Sequence, residues 1–549
     1  MKKKISLILL CILMLFSLIS CNNNKSNDVV ILFTNDVHCG IDENIGYSGL
    51  SSYKKEMEEQ YENVVLVDCG DFLQGSYEGT VSKGLYLTEI MNAVGYDFVI
   101  FGNHEFDYGM KALKKNIEEL NAEFLNCNVH YIGADEDWLS AMSKPFVVKE
   151  YGKIKVGFVG VSTPRTIMDS TPTLFMEDGK YVYDFTGDSK EEFFSNVQNN
   201  VDECINKGAD FVVLLSHLGV DVEQNSPFTS IELAENTNGI DVILDAHTHI
   251  SASCWVKENK DGDEVLISST GTKLDKIGKL VLSKDGTINI GYIDSYEKKD
   301  EEITALIADI RKDFEEQINT VVGHIDIDLS LYDNDGIRMV RNREIPIGDF
   351  VADAYRIIGN ADIGMCNGGG IRADLLSGDI TYEELIAVNP FGNTLCVVKV
   401  TGKELLDMLE YFYRYTEKEY KDGDIALGED GSFQQVSGIK FTVDTSVTSS
   451  VETDETDALT SISGSRRISD VYVLKNGEYV PIDLNETYTM ASHNYMIKNG
   501  GSGMLLYLQD HELVIDEAIS DYQVLIDYLS TLNGDLSMYQ TVDNRITIK

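Results

Sequence analysis

Five apolar runs in this chain each end in residues that bind metal ions. They are Val29-Val30-Ile31-Leu32-Phe33-Thr34-Asn35-Asp36-Val37-His38, Val64 to Asp71, Phe98 to Glu105, Phe211 to His217 and Ile240 to His249. Together they offer Asp36, His38, Asp71, Asn103, His217, His247 and His249. Imidazole, carboxylate and amide oxygen in that mixture suit Zn²⁺, Mn²⁺, Fe²⁺ or Co²⁺ better than Ca²⁺. Asp71 follows Gly70 and precedes a Gln74-Gly75 turn, a place where a carboxylate is left exposed to bridge two ions. Two ions about 3.5–4 Å apart are a standard means of displacing a group from phosphorus. The chemistry to look for is therefore two-metal phosphoryl hydrolysis.

Such residues work only if something gathers them. Buried parallel strands are short, β-branched and continuously apolar, and these runs fit that description. Functional side chains collect in the loops past strand ends. Asp36 and His38 are two apart, as are His247 and His249, so each pair placed at a strand end points the same way. The alternation of strand-like and helical stretches from Asp28 to Ser295 predicts α/β layers. Helices are expected over Gly84–Ala93 and Lys111–Leu120, and a further buried strand over Lys155–Val161. Glu264–Ser269 and Lys276–Ser283 are expected in a second, more antiparallel sheet.

Beyond this region, Ile303, Leu306, Ile307, Ile310, Phe314 and Ile318 recur at helical spacing, which predicts one amphipathic helix from Asp300 to Thr320 bridging two domains. A second α+β unit follows, with a helix over Phe350–Ile358, a strand over Asp362–Cys366 and a helix over Lys403–Arg414. Glu417–Ser432 is expected to be a loop, and Ser446–Ser465, rich in Ser, Thr, Asp and Glu, a surface insertion.

The chain has 549 residues, enough for two to four domains of about 100–200 residues. Its net charge of −46 repels nucleic acids and anionic lipid, so no nucleic-acid polymer is expected as a partner. A phosphate substrate stays possible where metals and arginines make a cleft locally positive. Lys2-Lys3-Lys4, an apolar run from Ile5 to Ile19 and Leu18-Ile19-Ser20-Cys21 make a secretory signal with a cysteine after its cleavage site. Of nine cysteines, the seven beyond Cys21 are scattered without close pairs, which does not make a disulfide framework.

Taken in order, Asp36-x-His38, Gly70-Asp71, Gly102-Asn103-His104-Glu105, a lone His217 and His247-x-His249 resemble the calcineurin-like metallophosphoesterases. The longer strings Asp68-Cys69-Gly70-Asp71 and Gly102-Asn103-His104-Glu105-Phe106-Asp107-Tyr108-Gly109 are similar to the 5′-nucleotidase family. The resemblance implies an N-terminal four-layer αββα sandwich (28–299), a linker helix and connection (300–334) and a C-terminal α+β substrate-binding domain (335–549). Asp36, His38, Asp71 and His249 would hold one divalent ion, and Asp71, Asn103, His217 and His247 the other. His249 stands where many members carry Gln or Asn. His104 is the family's catalytic histidine, with Asp107 three residues on to hold and orient it, and Asn103 assisting.

In the C-terminal region Asn367-Gly368-Gly369-Gly370-Ile371-Arg372 matches the family signature. Asn367 would contact a base, Gly369 would let backbone approach the ligand, and Arg372 would grip phosphate, with Arg341 or Arg343 adding to that grip. Phe391 in Asn389-Pro390-Phe391-Gly392-Asn393 would be one wall of a base-stacking slot. For the other wall, alignment on Asn499-Gly500-Gly501 places Met496 at the family's aromatic position and Ser502 where the family has an Asp; Tyr495 is the neighbouring ring. Residues 1–20 resemble a lipoprotein signal, with lipidation at Cys21 and a tether to residue 27, which implies anchoring outside the cytoplasmic membrane. The implied activity is hydrolysis of extracellular nucleoside 5′-phosphates. A UDP-sugar hydrolase or a 2′,3′-cyclic nucleotide phosphodiesterase is the alternative within the family. A nucleotide-binding surface lipoprotein without turnover is disfavoured by the intact ligand set.

Overall fold

The computed structural model describes residues 25–134, 138–185, 189–220, 228–312, 314–423, 425–454, 457–503, 508 and 511–549. The expected signal region and the expected lipidation site, Cys21, lie outside the described residues.

Two six-stranded sheets form the N-terminal domain. The first runs in the order Ile288–Ile293, Ile277–Leu282, Ser26–Thr34, Tyr61–Asp68, Phe98–Ile100, Glu123–Leu125, its last four strands parallel. The second runs Ser251–Glu258, Glu264–Thr270, Val242–Leu244, Phe211–His217, Ile154–Ser162, Phe146–Tyr151, with its inner four strands parallel. Ile31, Phe33, Val65, Val67 and Ile100 of one sheet pack against Phe158, Val213, Leu215 and Leu244 of the other. The outer face of the first sheet is covered by helices including Gly46–Gln60 and Leu85–Val94, that of the second by Lys190–Asn206 and Ser230–Asn236. The inner parallel strands, such as Phe211–His217 and Val242–Leu244, are buried on both faces and read as unbroken apolar runs. This is the four-layer αββα arrangement. The expectation that Glu264–Ser269 and Lys276–Ser283 share a sheet is corrected: they lie in different sheets.

The expected single linker helix is also corrected. A helix spans Glu301–Lys312 and a separate short one Glu315–Ile318. Ile303 and Ile307 pack onto the N-terminal core, whereas Phe314 and Ile318 join Tyr77 and Ile386 in a cluster between the two domains.

The C-terminal domain holds a five-stranded sheet in the order Gln434–Ser437, Ile363–Asn367, Thr487–His493, Leu395–Thr401, Leu513–Ile515. Helices Pro346–Ile358, Gly402–Phe412 and Asp521–Leu532 pack about it. Thr401 and Glu404 form a capping box that fixes the start of the second of these helices. The polar stretch 446–465 carries a small hairpin, Val451–Thr453 with Leu459–Ile462. It is not a plain surface insertion, because it buries Asp457 against Arg414.

Candidate active site between the two domains

The parallel strands of the two N-terminal sheets end at one edge, and the ligand-type residues gather there. Only His217 lies on its strand; the strands before Asp36 and His247 stop at Thr34 and Leu244. Pairing by strand alternation is therefore corrected. Asp36, His38, Asp71, His247 and His249 all adopt left-handed backbone, with φ between 46° and 75°. Each such residue costs on the order of 1–3 kcal/mol, a strain typical of binding loops. The loops are tied to one another: the His247 N–H donates to both Asp36 carboxylate oxygens, at 3.1 and 3.0 Å, and the His38 N–H to the Asp71 carbonyl at 2.8 Å.

Glu105 organises this edge. Its fully buried carboxylate accepts from the backbone N–H groups of Asp71, Phe72, Leu73 and Gly102 at 2.7–3.3 Å. Burial, with Asp71 nearby, pushes its carboxyl up to about 7. The residue stands in the motif, but nothing in the sequence separated its role from those of its neighbours. Asp68 is structural, accepting from Thr34 Oγ1 and the Gly70 N–H.

The donor atoms fall into compact groups. Asp36, His38 and His249 bring ligand atoms within 4.8 Å of one another, and so do Asp71, His217 and His247. Asn103 Oδ1 lies 3.1 Å from His247 Nδ1 and so adjoins the second group. A third group joins His38, Asp71 and His104. The protonation pattern fits divalent cations. Burial, reinforced by neighbouring positive groups, holds His38, His247 and His249 far below the usual histidine range, so all three are neutral ligands. Burial opposes charge on His217, but Asp71 and Asp36 outweigh it and push that imidazole up to about 10. His217 Nδ1–H donates to the Cys69 carbonyl at 2.7 Å, while its buried Nε2 sits 3.0 Å from Asp71 Oδ2 without an aligned hydrogen bond. A proton there meets no well-aligned acceptor among the described residues; a cation would take the lone pair and both carboxylates together. Burial pushes the Cys39 thiol up to about 12 and holds that of Cys69 well above its usual value, so neither offers a thiolate.

Above this cluster, His104 starts a single 3₁₀ turn, His104–Phe106, and Asp107 follows it. His104 Nδ1 contacts Asp107 Oδ2 at 2.6 Å, and Ser170 donates to the other Asp107 oxygen at 3.2 Å. Burial opposes charge on His104, yet Asp107 and Asp71 keep its pKa above the usual value. Across the domain boundary, Arg372 Nη2 lies 3.1 Å from His104 Nε2, and the Phe391 ring lies 5.5 Å from the His104 ring.

A cavity enclosing about 1060 Å³ of space open to solvent runs from this point into the C-terminal domain. Asn367, Gly369, Arg372, Arg341, Phe391, Tyr495 and Ser502 all line it. Asn367 ends its strand, and its Oδ1 faces His493 Nε2 at 3.1 Å. Gly368 is needed here: a Cβ there would meet the Val340 carbonyl at 2.2 Å.

Two expected substrate residues lie elsewhere. Arg343 donates to the carbonyls of Asn342, Glu417 and Lys418 and stacks on Tyr420, so its guanidinium is spent away from the cavity. Met496 is buried in the C-terminal core, 2% exposed. The turn Asn494–Ile497 turns Tyr495, not Met496, to the cavity, with the Tyr495 hydroxyl donating to the Met168 carbonyl of the N-terminal domain at 3.1 Å. Cavity residues that sequence reasoning missed include His493, Arg165, Arg414 and Asp457. Asp457 accepts from both Arg165, at 3.2 Å, and Arg414, so it links the two domains. A lone histidine and an acidic residue in a polar stretch carry no signal that would single them out.

Comparison with known proteins agrees with this geometry. The family model described as calcineurin-like phosphoesterase matches residues 29–251, and that of the 5′-nucleotidase C-terminal domain matches residues 321–508. The chain is 26% identical over 558 residues to the trifunctional nucleotide phosphoesterase protein YfkN of Bacillus subtilis, covering 93% of this chain but 34% of that protein. It thus spans about a third of that relative. It is 25% identical over 576 residues to the 5′-nucleotidase of Rattus norvegicus, covering 95% of this chain and 91% of the other. The crystal structure of a 5′-nucleotidase precursor from Thermus thermophilus superposes with a TM-score of 0.78 at 24% identity, over 95% of this chain and 99% of that one.

Proposed function

The chain belongs to the 5′-nucleotidase family, a calcineurin-like phosphoesterase domain followed by a 5′-nucleotidase C-terminal domain, and from that premise we propose a metal-dependent hydrolase releasing phosphate and nucleoside from nucleoside 5′-phosphates. The observation that carries the reading is the meeting of Arg372 with His104, at 3.1 Å, above two groups of metal-ligand atoms.

Asp36, His38, Asp71 and His249 would hold one divalent ion, and Asp71, Asn103, His217 and His247 a second. Such ions supply a strong nucleophile at neutral pH and offset phosphoryl charge. Arg372 and Arg341 bind phosphoryl oxygens as planar guanidinium forks. His104, oriented through Nδ1 by Asp107, presents Nε2 to the same small volume and gives a proton to the departing oxygen. Phe391 and Tyr495 flank the base, and Asn367, held by His493, offers its remaining amide N–H. Ser502, where the family has Asp, keeps a hydrogen bond to ribose without the charge. That substitution favours, as the second reading, 2′,3′-cyclic nucleotides, whose ribose carries no free diol.

The basic start, apolar run and Leu18-Ile19-Ser20-Cys21 support lipidation at Cys21 and anchoring outside the cytoplasmic membrane, where the substrates would be extracellular nucleotides. Among the described residues no helix is long and apolar enough to cross a membrane. A Cys21→Ala protein should leave the membrane fraction; retention there would contradict the anchor. For the substrate, kcat/KM should be compared across AMP, a UDP-sugar and a 2′,3′-cyclic nucleotide. The reading predicts AMP first, and a preference of tenfold or more for either other substrate would replace it.

A further inference from the structure

A second cavity lies against the metal-ligand cluster, with about 670 Å³ of space open to solvent. It shares His249, Arg341 and Arg372 with the substrate cavity and otherwise has its own walls. The substrate cavity reaches Asp71, His104 and His247 together with Phe391 and Tyr495; the second reaches His38 and none of those five. The two cavities therefore meet the reaction centre through different residues, and the base slot belongs to the first alone.

The charge on the two linings differs sharply. The substrate cavity sets Arg165, Arg341, Arg372 and Arg414 against Asp71, Asp107, Asp169, Asp430 and Asp457. The second is lined by Lys273, Arg338, Arg341 and Arg372, with no Asp or Glu among the described residues that line it. In a chain with 91 acidic and 45 basic residues, such a lining is a local reversal of the protein's field, and it concentrates anions. Arg338 is offset by Glu429 and Lys273 by Glu43, but the Arg341 side chain has no ion-pair or hydrogen-bond partner among the described residues.

Gln74 supplies an independent indication. The side chain is fully buried in the wall of this cavity, and its Oε1 faces His38 Nδ1 at 3.3 Å. Its Nε2 has no hydrogen-bond partner among the described residues. A buried amide N–H₂ left unpaired costs about 1–3 kcal/mol, a penalty that a ligand oxygen would remove. Guanidinium groups and an amide donor, with no carboxylate and no stacking pair, select a compact oxyanion over a nucleoside.

We propose that this rear cavity is a binding site for inorganic phosphate, receiving the product while the nucleoside side stays occupied. The inference rests on the nucleotide-hydrolysis reading for its role, but phosphate binding can be measured without turnover. The full-length, metal-loaded protein would be titrated with radiolabelled orthophosphate at equilibrium. Two equivalents should bind, one at the metal cluster and one in the rear cavity. Ala387, on the helix Tyr382–Val388, lines the rear cavity only. Ala387→Glu places a carboxylate in that cavity and should reduce binding to one equivalent, the retained equivalent showing that the variant is folded. Lys273→Glu should weaken the second equivalent at least fivefold. With AMP as substrate, orthophosphate inhibition should have a noncompetitive component that Ala387→Glu removes. One equivalent in the unaltered protein overturns the proposal, and so do two undiminished equivalents in both variants. A protein that binds two equivalents, loses one in Ala387→Glu and yet leaves AMP intact would retain the rear site and refute the AMP reading.

Discussion

Arg372 of the C-terminal domain and His104 of the N-terminal domain meet at 3.1 Å, so the two halves of the site are in register in this arrangement. Asp107 anchors the other nitrogen of the same imidazole at 2.6 Å. His104 is thus held from one side by its own domain and faced from the other by the domain that presents the substrate. His104→Ala should lower kcat by about 10²–10⁴-fold, the range for loss of a general acid. Asp107→Asn should give a smaller loss, because the ring stays in place. A pre-steady-state measurement of phosphate release would separate the two; equal losses would mean that Asp107 does more than orient.

The arginines near residue 340 should behave in opposite ways. Arg341 lines both cavities, and burial, with Arg338 and Arg372 beside it, pushes it down to about 9. Hydrogen bonds to charged groups are worth about 1.5–3 kcal/mol, so Arg341→Ala should lower kcat/KM roughly 10–150-fold. Arg343→Ala should leave kcat/KM within about twofold, because its guanidinium caps backbone carbonyls well away from the cavity. Steady-state kinetics on both variants checks this, and a larger effect from Arg343 would reverse the assignment.

Phe391 and Met496 separate binding from packing. Loss of one stacking ring costs about 1–3 kcal/mol per base, so Phe391→Ala should raise KM for AMP about 5–150-fold. Met496→Ala should instead lower stability by about 2–5 kcal/mol, as for other large-to-small core changes, with KM little altered. Denaturation and KM measured on both proteins would show the division; a KM effect from Met496 alone would return it to the slot.

How far the sequence led is clear from these residues. The gathering of the seven ligand-type residues was legible because residue type, order and position after apolar runs all agree, and the structure brings all seven to one edge. The local reason was not legible: left-handed loops, rather than strand alternation, turn Asp36 and His38 to one point. The choice between Tyr495 and Met496 depends on a single helical turn, which a one-residue shift reverses. Asp457 acts on Arg165 from 292 positions away, and no local pattern encodes so distant a pairing.

His493 gives a pH prediction removed from the metal ligands. Burial pushes its imidazole down to about 3, and its Nε2 faces Asn367 Oδ1. The folded protein therefore refuses a proton that the unfolded chain accepts at about 6.5. Between those values the unfolded state binds more protons, so stability falls as pH drops, by at most about 1.4 kcal/mol per unit. Metal-free protein should lose about 2 kcal/mol from this group between pH 7.5 and 5, and His493→Gln should remove that part of the slope. Urea midpoints at the two pH values test it; identical slopes in both proteins would contradict the assignment.

The most direct test is phosphate release from AMP by the protein, first stripped of metal and then given Mn²⁺ or Zn²⁺. Stripped protein should release no phosphate, release should become rapid on metal return, and Asp71→Ala, which removes the carboxylate shared by the two proposed ligand sets, should not recover. Undiminished release from the stripped protein would contradict the metal-dependent reading, as would no release from a sample shown to hold two ions.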